Sequence, residues 1–234
     1  MSEASAMYDS IPDLVPRVAI EIISAVACFI LIKFMIKPYE VTREGRYIGL
    51  PLGFSFLGFS YVISAITYTQ LINIELLWRF QLIFRAFSFV FLAVAYYFSK
   101  KPSKNTRLIW NITFSGLFVS LLALVLLVFI APQMPQDEYL ILNFLVRILS
   151  LICISYIFIR CSREQAKGHD PYGRWVLVGY ALLGLSQYSS LVWIVNLSSF
   201  AFWGSLAFRL MSLVVFLNVT YRIFYKPKRK GTER

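Results

Sequence analysis

Leu108 to Ala131 reads LIWNITFSGLFVSLLALVLLVFIA, 24 residues without a charged side chain. A bilayer core takes about 20 apolar residues in helical form, so this run predicts a membrane-spanning helix. It is continuous rather than alternating, which argues against a strand of a membrane barrel. Three comparable stretches precede it, at 17–36, 47–67 and 75–98, and three follow, at 139–160, 174–196 and 199–225. The reading is therefore all-α and polytopic, with seven transmembrane helices.

Composition points the same way. Hydrophobic residues make up 59% of the 234-residue chain and charged residues only 15%, against about a quarter charged in a soluble domain. Mean hydropathy is +0.68. Lipid must then solvate much of the surface. The net charge of +11 would suggest nucleic acid in a soluble protein. Here the positive charges sit mostly between apolar spans, so no nucleic-acid partner is expected. The expected partners are membrane lipids, with anionic headgroups at the cytoplasmic face.

Charge alternates along the chain. Glu3, Asp9 and Asp13 precede the first span, and Lys37, Arg43 and Arg46 follow it. The segment from Thr69 to Ile74 is nearly neutral, and Lys100, Lys101, Lys104 and Arg107 come next. Pro132 to Glu138 is acidic, and Arg163, Lys167 and Arg174 follow. Asn196 to Ser199 is uncharged, and the tail holds Lys226, Lys228, Arg229, Lys230 and Arg234. Every second segment is basic, so the positive-inside rule predicts an N-terminus outside, a C-terminus inside and a multi-pass protein of the cell membrane. The acidic leader also argues against a cleaved signal peptide. The sequon Asn196-Leu197-Ser198 lies against the membrane and is expected to stay unmodified.

The two flanks of the central span resemble one another. Gly45-Arg46-Tyr47 corresponds to Gly173-Arg174-Trp175, and Leu57-Gly58-Phe59-Ser60 to Leu183-Gly184-Leu185-Ser186. Phe84-Arg85-Ala86-Phe87-Ser88 corresponds to Phe208-Arg209-Leu210-Met211-Ser212, with separations of 124–128 residues throughout. Both flanks start outside, so the repeats are parallel. The expected division is an extracytoplasmic tail at 1–16, a first three-helix repeat at 17–104 and a linker helix at 105–135. A second three-helix repeat at 136–226 and a basic tail at 227–234 complete it. This three-plus-one-plus-three plan resembles that of the SWEET and PQ-loop transporters, which implies carriage of a small solute. The Pro-Gln signature of that group is absent from the spans; Pro132-Gln133 and Pro135-Gln136 lie between them.

A polar stripe recurs on four spans: Arg17, Glu21 and Ser24; Gln81, Arg85 and Ser88; Asn143, Arg147 and Ser150; Ser205, Arg209 and Ser212. Each set is spaced i, i+4, i+7, which places it on one helix face. The three arginines beyond position 80 lie about 12–15 Å into their helices at helical rise, too deep for easy snorkelling. A charge at bilayer centre costs at least about 2.5–3.5 kcal/mol, so these faces are expected to turn inward. Glu21 is expected within salt-bridge reach of at least one of Arg85, Arg147 and Arg209, with Arg147 or Arg85 the favoured partner, and Glu75 to offset one more charge. The bland reading is an ion-pair lattice bracing the fold. The functional reading is a surplus of guanidinium that holds a small anionic or polar solute. Its candidate residues are Glu21, Gln81, Arg85, Ser88, Asn143, Arg147, Ser150, Ser205, Arg209 and Ser212. Ser60, Ser64, Thr67, Ser186 and Ser190 form a second layer, read first as small-residue helix packing.

Other chemistry is poorly supplied. His169 is the single histidine and the three cysteines do not cluster with it, so neither a metal site nor a cofactor is expected. Cys161 between Arg160 and Arg163 suits an ordinary membrane-edge cysteine or a palmitoylated one. No nucleophile–base set appears, so an enzyme is not expected. The expectations are a small-solute carrier, or alternatively a seven-helix sensor signalling through its inner loops, or a structural subunit of a membrane complex. Oligomeric state is not readable.

Overall fold

The structure, a computed structural model, describes residues 14–37, 39, 48–68, 74–98, 104–130, 136–166 and 173–225. Seven helices carry these residues: α1 (Leu14–Met35), α2 (Gly49–Tyr68), α3 (Ile74–Phe98), α4 (Lys104–Ile130), α5 (Gln136–Gln165), α6 (Gly173–Asn196) and α7 (Ser199–Tyr225). Among the described residues there is no strand. All seven are long and apolar enough to cross a membrane, which makes the chain an integral, multi-pass membrane protein. A span must satisfy its backbone within itself, and the uninterrupted helices do so. Most of the basic and acidic connecting segments, His169 and the side chain of Glu75 lie outside the described residues; Lys37, Glu138, Arg163 and Arg174 lie within them.

Six helices close a ring. Neighbours in contact are α1 with α2, α2 with α3, α3 with α5, α5 with α6, α6 with α7, and α7 with α1. Helix α4 stands outside and packs on α3, through Phe80 on Phe129 at one end and Phe98 on Trp110 at the other. Only 11% of its apolar window is buried, against 61% for α2. Its side chains Leu122, Leu126 and Ile130 face outward, as lipid permits and water would not. The odd-numbered helices of the ring begin at a common end. Trp78 of α3 meets Tyr139 of α5, and Arg17 of α1 lies over Phe202 of α7.

Close approach of α2 to α3, and of α6 to α7, depends on glycine. A Cβ added at Gly53 would fall 2.6 Å from Leu92 Cγ, and one at Gly179 would fall 2.7 Å from Phe216 Cε1. Serine hydroxyls cross the same contacts. Ser60 donates to the Gln81 carbonyl at 3.4 Å and Ser186 to the Ser205 carbonyl at 2.8 Å. Ser212 donates to the Gly179 carbonyl at 2.8 Å. Small residues let backbones approach where no water-driven force between helices exists. Away from the common starting end, the ring is filled by Leu31, Phe54, Leu57, Leu183, Leu213 and Phe216. Phe54 meets Phe216 across the ring at 5.6 Å, and Tyr96 meets Tyr180 at 5.4 Å. This part of the bundle is packed core. The polar side chains collect above it.

Candidate functional site

The stripe faces turn into the ring, as hydrocarbon cannot satisfy guanidinium donors. Arg17, Glu21, Arg85 and Arg209 are buried, and Arg147 is half-buried. Arg79 is a further buried arginine, engaged in interactions of its own, that the stripe pattern did not single out.

At the α1–α7 contact, Glu21 Oε1 lies 3.0 Å from Arg209 Nη2. Glu21 therefore reaches one of the three deep arginines, as expected, but the partner is Arg209 and not the favoured Arg147 or Arg85. Ring closure explains it, because α1 touches α2 and α7. The ion pair is close but poorly directed, since Arg209 Nη2 and Nε and Glu21 Oε2 make no hydrogen bond among the described residues. The Arg209 guanidinium sits 4.3 Å from the centre of the Tyr61 ring, a cation–π contact strengthened by desolvation. One turn nearer the starting end, Arg17 stacks 3.4 Å over the Tyr68 ring and donates to the Tyr68 hydroxyl. Phe202 closes on its other side at 4.7 Å.

At the α3–α5 contact the charges differ. Arg147 Nη1 donates to Gln187 Oε1 of α6 at 2.6 Å, while its Nε has no partner among the described residues. The guanidinium groups of Arg85 and Arg209 are near enough to repel it. Asn143, one turn before Arg147, has its Oδ1 buried without a partner. Tyr139 lies within electrostatic range of Arg85, Arg147 and Arg17, so the two contacts share one polar zone.

The serines of the stripe play another part. Ser24, Ser88 and Ser150 donate to the carbonyls of Ile20, Arg85 and Val146 in their own helices. Ser205 donates to the Phe202 carbonyl. Gln81 and Ser205 offer their backbone carbonyls to the neighbouring hairpin helix. Hydroxyls committed to backbone carbonyls are already satisfied, which leaves the guanidinium groups, Glu21 and Asn143 as the remaining polar groups of the zone.

Sequence reasoning missed Tyr61, Tyr68, Tyr139 and Gln187. A signal for three of them was present: Gln187 lies 126 residues after Tyr61, the same interval that relates Gly58 to Gly184. Tyr61 and Tyr68 also share a face with Ser64 at i, i+3 and i+7.

Buried polar atoms are normally hydrogen-bonded. Here the unpartnered ones gather in this zone: Arg17 Nε, Glu21 Oε2, Tyr61 OH, Ser64 Oγ, Asn143 Oδ1 and Arg147 Nε among them. Chemically, a rank of donors carrying net positive charge in a low-dielectric setting can bind an oxyanion. No group of His, Cys, Asp and Glu suited to a metal occurs among the described residues. No family model, curated protein or solved structure matches the chain. The fold and this zone define its class as a polytopic membrane protein with a buried, arginine-rich interior.

Proposed function

We propose that this protein is a membrane carrier for a small anionic solute, built from two parallel three-helix repeats joined by α4. The observation that carries the reading is the charge imbalance. Arg17, Arg85, Arg147 and Arg209 share one buried zone with Glu21 as its single described carboxylate. A brace alone would be more stable with each guanidinium matched, since a buried unpaired charge costs several kcal/mol.

Contacts support the duplication. Gly53 meets Leu92 as Gly179 meets Phe216. Gly58 meets Cys28 as Gly184 meets Ile154. Ser60 reaches Gln81 as Ser186 reaches Ser205. Each second contact follows from the first by adding 126 residues on the first two helices and 124 on the third. The proposed orientation is N-terminus outside. Lys33, Arg163, Arg174 and Arg222 are exposed, or nearly so, at the end opposite the buried arginines, and lysine and arginine favour the cytoplasmic side. The zone then lies towards the outer side of the membrane.

The test is a thermal-shift screen of the purified protein against acetate, lactate, phosphate, sulfate and chloride, followed by uptake into proteoliposomes. The carrier reading expects one anion class to raise the Tm and to exchange across the bilayer. A protein indifferent to every oxyanion in both assays would leave the arginines as bracing. A second reading, a subunit of a larger assembly, rests on α4, whose outward face is apolar and covered by none of the described residues. Mass determination in native nanodiscs tests it, with a monomer counting against it.

A further inference from the structure

The α1–α7 and α3–α5 contacts are the two seams at which the halves of the ring meet. Under the offsets above, the residues of one seam map onto the other. Arg209 corresponds to Arg85, Glu21 to Arg147, Arg17 to Asn143 and Phe202 to Trp78. The first seam therefore joins an arginine to a carboxylate, at 3.0 Å. The second has an arginine at both corresponding positions, Arg85 and Arg147.

Register places the second pair at a common depth. Trp78 and Tyr139 meet with ring centres 5.2 Å apart, and their helices run in the same direction. Arg85 lies seven residues beyond Trp78 and Arg147 eight beyond Tyr139, so both sit about 10–12 Å further along at helical rise. Arg85 is 5% exposed, and the neighbouring guanidinium of greatest influence on Arg147 is that of Arg85. Arg147 Nε and Asn143 Oδ1 have no partner among the described residues. Like charges held together out of water need a counterion.

We infer that the α3–α5 seam, at Arg85, Arg147 and Asn143, binds the carboxylate of the solute in the place that Glu21 takes in the opposite seam. The inference rests on the carrier reading and gives it a substrate class: small organic acids in their ionised form. Guanidinium groups receive a planar carboxylate through paired N–H donors. Two of them facing one another neutralise their repulsion on one ligand charge. The Asn143 amide stands beside them to bond a hydroxyl or amine on the same solute. Gln187 holds the Arg147 guanidinium at 2.6 Å and is a positioning residue.

The test supplies the carboxylate from the chain. In the full-length protein in detergent, Arg147→Glu turns the second seam into a copy of the first. It is expected to raise the Tm of the protein in chloride buffer and to abolish the further rise that acetate or lactate produces in wild type. Arg85→Glu is expected to do the same, and the double variant Arg85→Glu/Arg147→Glu to lose stability, as two carboxylates then face one another. Arg85→Gln and Arg147→Gln are expected to fold and to lose the carboxylate shift.

A lower Tm for both single Glu variants would overturn the facing pair. A carboxylate shift that survives both Gln substitutions but vanishes in Arg17→Gln would keep the carrier and refute this site. A response to phosphate or sulfate without one to acetate or lactate would refute the substrate class. Indifference of wild type to all oxyanions defeats the carrier reading and this inference with it, while the Glu variants still report whether the two arginines face one another.

Discussion

The two hairpins of the ring and its two seams are built on opposite rules. The α2–α3 and α6–α7 hairpins use the same pieces at the same places: a glycine under a large apolar side chain, and a serine hydroxyl on a neighbouring carbonyl. The seams differ in charge: Glu21 pairs with Arg209 at one, and Arg147 lies within electrostatic range of Arg85 at the other. Helix approach in lipid tolerates little change at its small residues, because an added methyl has nowhere to go. A side chain pointing into the ring is free to change its charge provided something neutralises it. Packing positions therefore report how the bundle is assembled, and seam positions carry its buried charge.

The largest effect expected is at the closed seam. Glu21→Gln leaves Arg209 buried without its counter-charge and should cost about 3–5 kcal/mol, read as a loss of unfolding free energy in detergent titration. Glu21→Gln/Arg209→Gln should recover part of that loss. A double variant as unstable as the sum of the singles would show that the two do not act as a pair.

The hairpin rule is tested next. Gly53→Ala and Gly179→Ala each force a Cβ within 2.7 Å of a buried side chain and should cost about 1–3 kcal/mol. Gly116→Ala on α4, where nothing lies within 4 Å, should be neutral or gain up to about 1 kcal/mol from helix propensity. Equal effects at all three would break the distinction between ring and outlying helix.

The turn between α6 and α7 offers a change in the other direction. Leu197 has φ of 51°, a left-handed conformation that costs a residue with a Cβ about 1–2 kcal/mol. Leu197→Gly should relieve part of it and raise the Tm, partly offset by the greater freedom of glycine in the unfolded chain. A lowered Tm would show that the Leu197 side chain contributes more than its backbone costs.

The smallest effect separates the hairpins themselves. Ser186→Ala removes a 2.8 Å bond and Ser60→Ala a 3.4 Å one. Losses averaging about 0.6 kcal/mol are typical of such bonds between membrane helices. Ser186→Ala should be the more costly of the two, and the reverse order would place the tighter hairpin in the first half.

The predicted spans agree with the helices to within a few residues, except that α5 begins at Gln136 and runs to Gln165, beyond the expected 139–160. Its ends carry Glu138 and Arg163, charged residues that the sequence reading places in the flanking segments although the helix continues through them. The candidate site was legible as faces. The i, i+4, i+7 spacing of Gln81, Arg85 and Ser88, and of its three counterparts, put those residues inward. The role of each was not legible. Ser88 and Ser150 satisfy backbone carbonyls, while Tyr61 and Tyr68, which look like ordinary aromatic filling, carry the cation–π contacts.

What the sequence determined by itself is local or additive: lipid as the solvent, seven helices, and the face on which each polar residue lies. Runs of apolar residues and a 3.6-residue period require no knowledge of neighbours. The tertiary structure alone decided which faces meet. Glu21 is related to Arg147 in sequence and within reach of several arginines in principle, yet it joins Arg209 because closing the ring brings α1 against α7. Arg85 and Arg147 are left together at the other seam for the same reason. A pairing between distant helices depends on the order in which they surround the core, and no spacing along one helix records that order.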